Sequence, residues 1–160
     1  MIRVLPIVAV FALAVVALAD DKKEKQPGLT EEEKKIFELT NKAREEEKLP
    51  PLKLNALLIK VARGHSANMA KQEKMEHILD DKNPTERVKD GGYAASRTGE
   101  NIAKTNGDKP EKIFKLWMES PHHKENILRE QYEEIGVGIG RNAQGETYYT
   151  QVFATPKKRR

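Results

Sequence analysis

Cysteine is absent from all 160 residues, which excludes a disulfide-stapled scaffold and every paired-cysteine zinc pattern. No Gly-rich phosphate loop and no His-Glu-x-x-His helix occurs, so the common nucleotide and metalloprotease signatures are missing as well. Neither sign of charge dominates. The 29 basic and 25 acidic residues leave a net +4, a balance that fits a well-solvated surface and gives no reason to expect a nucleic-acid partner. There are no internal repeats, and one long apolar run stands alone.

That run marks the N-terminus. Arg3 is the only charge ahead of Val4 to Val16, and Ala17-Leu18-Ala19 follows the small-x-small form of a cleavage site. Residues 1–19 therefore read as a signal peptide, too short in apolar length to span a bilayer, which takes about 20 residues. No cysteine follows to carry a lipid anchor, so the mature chain is expected to begin near Asp20 with no membrane segment, and to act as a monomer. An exported domain without disulfides points to a bacterial protein with a self-sufficient core, placed in the periplasm, at the cell surface or in the medium.

Residues 20–28 are polar and lysine-rich, a flexible lead-in. Thr30-Glu31-Glu32-Glu33 forms a capping box that opens a helix with Ile36, Phe37, Thr40 and Ala43 inward, ending before Leu49-Pro50-Pro51. Asn55 caps a second helix whose inner face is Leu58, Val61, His65 and Met69. Lys74 to Gly107 lacks a long periodic segment and reads as loop-rich, with one short helix over 86–90 and a turn into a short strand at Glu100. Asp108 is placed as the cap of a third helix with Ile113, Phe114, Leu116 and Trp117 inward, and Ser120-Pro121 restarts the chain as a fourth, ending near Leu128. Ile135, Val137 and Ile139 then alternate with Gly136, Gly138 and Gly140, and Asn142 to Gly145 turns the chain into a return strand from Thr147 to Ala154. The glycines leave one strand face bare for a neighbour to approach closely. Residues 155–160 form a basic tail, read as a solvated end ahead of the alternative, a weak anchor to anionic envelope polymers.

Three short segments carry the chemistry: Met75-Glu76-His77, Gly99-Glu100-Asn101-Ile102, and the stretch from Trp117 through His122-His123 to Ile127. Two histidines and one or two carboxylates brought together in a cleft can bind a divalent cation or exchange protons with a substrate. His122 and His123, being adjacent on a helix, point in different directions, so one of them is expected at the surface. Ser120 is most simply an N-cap, and His65 a core histidine satisfied by a hydrogen bond. Asn101, Asn126 and Gln151 are expected to tie loops and strand ends together.

In this order the segments resemble the CAP superfamily (the SCP-like or cysteine-rich secretory protein domain) in its disulfide-free bacterial form. The resemblance covers residues 29–154. It rests on Asn41-Lys42-Ala43-Arg44, Leu52-Lys53-Leu54-Asn55, Ala62 to Met69, His77, Gly99-Glu100-Asn101-Ile102, Trp117 with Ser120 to Leu128, Ile135-Gly136-Val137-Gly138 and Tyr149-Thr150-Gln151-Val152-Phe153.

The resemblance implies an α+β fold, a three-layer α-β-α sandwich around a small, mostly antiparallel sheet. It further implies a cleft with two histidines and two acids. His77 and Glu100 match the first histidine and acid, and His123 matches the histidine of the bacterial Ser-Pro-Gly-His segment, with His122 where glycine is usual. The family's second acid falls on Ser120, so the nearest carboxylate, Glu119, stands in for it. His77, Glu100, His123 and Glu119 are thus the expected catalytic set. His77, Glu100, Asn101 and His123 are the ligand contacts, and His77 and His123 the ligands for zinc or another divalent cation. Function is expected in binding a lipid or envelope component or a cation, with an apolar groove beside the cleft for a lipid. The alternatives are a metal-dependent hydrolase or peptidase using the same cleft, and a purely structural polar cluster.

Overall fold

Three glycines decide where the second helix lies. A Cβ on Gly136 would come within 2.1 Å of the Leu58 backbone, one on Gly138 within 2.1 Å of Arg63 N, and one on Gly140 within 2.5 Å of Ser66 O. Helix α2 (Ala56–Gln72) therefore rests with its backbone directly on strand β3 (Glu134–Arg141), as the bare face of alternating glycines predicts. Ser66 locks the contact: its Oγ donates to Gly138 O at 2.9 Å and lies 2.8 Å from Thr150 Oγ1.

The computed structural model describes residues 28–158. The expected signal peptide, nearly all of the lead-in and the last two residues of the basic tail lie outside them. The remaining elements are α1 (Glu31–Glu46), β1 (Lys53–Leu54), α3 (Pro84–Asp90), β2 (Ala95–Thr105), α4 (Pro110–Glu119), α5 (Pro121–Leu128) and β4 (Thr147–Pro156). The sheet order is β1-β3-β4-β2, antiparallel except for the short β1–β3 pair. Helices α2 and α3 pack on one face, and α1, α4 and α5 cover the other, which gives the three-layer sandwich.

Strand alternation divides the core between the layers. Ile135, Val137 and Phe153 join Ile36, Ile113, Trp117 and Ile127 on the α1/α4/α5 side, while Val152 and Ala154 join Leu58, Val61 and Val88 on the α2/α3 side. The fully buried Arg44 ties the first layer together. Its guanidinium donates to the carbonyls of Pro50, Ile127, Arg129 and Tyr132, which satisfies carbonyls at the C-terminal end of α5.

Thr30 and Asn55 cap their helices as read from the sequence, and the 142–145 turn joins β3 to β4. Other expectations change. The short strand expected at Glu100 is the 11-residue β2, paired with β4 along its length. Its residues are mostly polar because it lies at the sheet edge, so the alternation of a buried strand is muted. Asp108 does not cap α4: its carboxylate accepts from Thr105 Oγ1 at 2.7 Å and pairs with Lys112. Ser120 makes no side-chain cap bond to α5. Leu116 is exposed, since it sits about 100° around α4 from Trp117, away from the Ile113–Phe114–Trp117 stripe.

Candidate functional site

The site is built across edge strand β2, where successive residues face opposite layers. Glu100 points toward α2 and α3, and Asn101 toward α5. Helix α3 begins at a capping box formed by Asn83 and Glu86, with Pro84 in its first turn. This fixes Arg87 one turn in, where its Nη2 donates to both oxygens of Glu100, at 2.9 Å to Oε1 and 2.7 Å to Oε2. Its Nη1 donates to the Lys82 carbonyl at 2.7 Å.

His77, between α2 and α3, places Nδ1 2.8 Å from Glu100 Oε1. An ionised carboxylate only accepts, so toward that form of Glu100 the Nδ1 of His77 is the donor. The burial is graded: the Glu100 side chain is 1 % exposed, and that of His77 46 %. The imidazole thus joins a buried charge to solvent.

His65 comes closer to this centre than the sequence suggests. It is buried on α2 as expected, but neither ring nitrogen has a hydrogen-bond partner, and Nε2 lies 3.6 Å from Glu100 Oε1. Burial pushes its pKa down, only partly offset by the charge of Glu100, so it is held toward the neutral form.

Asn101 has a different role. Fully buried, it donates from Nδ2 to the His123 carbonyl at 3.0 Å and to Gln151 Oε1 at 3.1 Å, and accepts from Asn126 Nδ2 at 2.9 Å. Gln151 Nε2 continues to Thr40 Oγ1 at 2.7 Å, and Thr40 donates to Ile36 O. A neutral chain of amides and a hydroxyl thereby runs from α5 through the sheet to α1. It holds the first turn of α5, and with it His123, against β2. His123 is half-buried. Burial first, then the neighbouring His77 and His122, push its pKa below the usual imidazole value. His122 is exposed, as expected.

Glu119 stands apart. Its carboxylate is exposed at the end of α4 and lies 3.7 Å from Lys115 Nζ, and no hydrogen bond or ion pair ties it to Glu100 or the histidines. Gly99 is required by close approach, not by an unusual backbone angle. A Cβ there would fall 2.2 Å from the Tyr132 hydroxyl, which donates to Thr98 O. The groove of about 290 Å³ beside Arg87 and His65 brings Lys60, Asn68, Lys82 and Asp90 together with Val61 and Gly91. Among the described residues, no group of three or more His, Asp or Glu side chains comes together to hold a metal ion.

Sequence reasoning missed Arg87 and the proximity of His65. The signal for Arg87 lay in Asn83-Pro84-Thr85-Glu86, a helix start that places residue 87 beside the buried Val88.

The model of the Cysteine-rich secretory protein family matches residues 37–153, a span that holds every site residue just described. This chain belongs to the CAP family. It is 38% identical over 127 residues to the uncharacterized protein YkwD of Bacillus subtilis, covering 76% of this chain and 46% of YkwD. The chain spans less than half the length of the curated relatives it matches. An outer surface protein of Borrelia burgdorferi shares the fold with a TM-score of 0.75 at 21% identity, covering 82% of this chain and 97% of that one. An extracellular SCP-domain protein of Bacillus anthracis does so with a TM-score of 0.69 at 28% identity, covering 81% of this chain and 45% of that one. This CAP domain is bacterial in type and extracellular or at the cell surface, and no helix among its described residues is long and apolar enough to cross a membrane.

Proposed function

We propose that this CAP domain is an extracellular binding module in which His77 and His123 are the ligand-facing pair. The observation that carries the reading is the engagement of Glu100. Both of its oxygens accept from Arg87, and Oε1 also accepts from His77, so the carboxylate orients an imidazole, and at 1 % side-chain exposure it is shielded from the water it would have to deprotonate. That favours binding over the hydrolytic alternative, in which Glu100 would serve as the base.

The donor set fits a divalent cation through two imidazoles. His77 offers Nε2 with Nδ1 fixed on a carboxylate, the usual arrangement of a metal-ligating histidine, and the depressed pKa of His123 keeps its lone pair available at neutral pH. Zinc commonly takes three protein ligands, so the remaining positions fall to water or to an oxygen of the envelope ligand. When bound, the cation would supply a positive centre for that oxygen. The rest of the site orients: Arg87 and Glu100 hold His77, and Asn101 holds the α5 end that carries His123.

Calorimetric titration of the protein with Zn²⁺, beside His77→Ala/His123→Ala, tests the reading. Stoichiometric binding lost in the double variant is expected. Binding unchanged in that variant contradicts it.

A further inference from the structure

We propose that Asp80 is a positioning residue for the ligand-facing imidazole: its carboxylate clips the segment that carries His77 to α2 and so sets the ring against Glu100. This rests on the reading of His77 as a ligand contact. From Glu73 to Lys82 the one buried residue is Leu79, while Met75 and Ile78 stand exposed. A segment with so little apolar burial takes its position from polar contacts. Asn68 and Gln72, one turn apart on α2 and so side by side, supply them. Asn68 donates from Nδ2 to Asp80 Oδ2 at 2.8 Å, and Gln72 donates from Nε2 to Asp80 Oδ1 and to Asn68 Oδ1, both at 3.0 Å.

The backbone shows that the clip holds against a cost. Asp80 and Asp81 both lie in the left-handed region, at φ 52° and 56°, inside the turn closed by the Leu79–Lys82 bridge. Two such residues in succession follow the type I′ pattern, which asks for Asn or Gly at its centre. Asp tolerates that region, but glycine alone enters it without a steric cost. Of the two side chains, that of Asp80 is bonded to α2. The turn is otherwise held by the buried Leu79 and by the Lys82 carbonyl, which accepts from Arg87. His77 lies two residues ahead of Leu79 and reaches inward to Glu100, so a turn fixed on α2 limits where the ring can go.

Two glycine variants separate the clip from the backbone cost. Asp81→Gly relieves the left-handed strain and keeps the clip, whereas Asp80→Gly relieves the same strain and removes it. Backbone ¹⁵N relaxation over residues 75–79, recorded without metal, should give order parameters of about 0.85 in the wild type and in Asp81→Gly, and below about 0.6 in Asp80→Gly. Asp80→Asn, which keeps an acceptor on a residue that tolerates the left-handed region, should restore the order. Zn²⁺ affinity should fall about tenfold in Asp80→Gly, the lower end of the loss when a group that orients a metal-ligating histidine is removed, and stay unchanged in Asp81→Gly. Thermal melting checks that each variant is folded. If Asp80→Gly does not fold, Asn68→Ala/Gln72→Ala removes the clip from the helix side instead. A segment that stays ordered in the folded clip-less variant, one that loosens equally in Asp81→Gly, or one already mobile in the wild type overturns the proposal. So does Zn²⁺ affinity unchanged while the segment loosens. A wild type that is ordered, loosens in Asp80→Gly and yet binds no Zn²⁺ leaves this proposal standing and removes the cation-binding reading instead.

Discussion

Glu100 and Asn101 are neighbours in sequence with opposite surroundings. On the Glu100 side a buried charge is shared among Arg87, a half-exposed His77 and a His65 with no hydrogen bond of its own. On the Asn101 side the groups are neutral and matched donor to acceptor from His123 O to Ile36 O. One face of the strand is electrostatically biased and open at one end, and the other is closed and complete. On the proposed reading, the contrast separates a part that meets a ligand from a part that holds the frame. It also shows how an edge strand serves both through the two-residue period of its side chains.

The sharpest break comes from Glu100→Ala. It strands the largely buried Arg87 guanidinium, and breaking a buried pair costs about 3–5 kcal/mol. Urea unfolding should show this loss together with loss of Zn²⁺ binding. Asn101→Ala should cost about 2–3 kcal/mol in the same assay, because Gln151 and Asn126 lose buried partners. If that variant also abolishes Zn²⁺ binding while remaining folded, the division between the two faces is wrong.

A pH series probes the face with the unsatisfied imidazole. The pKa values of His65 and His123 are both depressed in the fold, so between those folded values and the usual imidazole value near 6.5 the unfolded chain binds more protons. Stability is therefore fully present above about pH 6.5 and declines as pH falls through the folded values. Melting temperatures measured downward from pH 8 should fall in that window, and less steeply in His65→Phe. The smallest effect belongs to Glu119→Ala, which loses only an exposed pair with Lys115: a stability change within about 0.5 kcal/mol and unaltered Zn²⁺ affinity. A large loss of affinity would return Glu119 to the site.

Much of the frame was legible because its signals are local. Thr30 with Glu33 and Asn55 announce their helices, and the alternating glycines at 136, 138 and 140 announce a close neighbour. The full length of β2 escaped because Ser96, Arg97, Thr98 and Lys104 show no apolar alternation at a sheet edge, and only pairing with β4 extends the strand. His77, Glu100 and His123 were singled out through family resemblance. The Arg87–Glu100 pair spans 13 residues and depends on the placement of α3 beside β2, which no local pattern states. His65 was correctly placed on the inner face of α2, but the carboxylate beside it belongs to another layer.

The most direct test of the binding account is to follow all four histidine rings by ¹H–¹⁵N spectroscopy during a Zn²⁺ titration. Nε2 of His77 and the ring of His123 should shift together in one step complete at a single equivalent, with His65 and His122 unmoved. A step in which His77 and His123 respond separately, or in which neither responds, would contradict the claim that they form one ligand-facing pair.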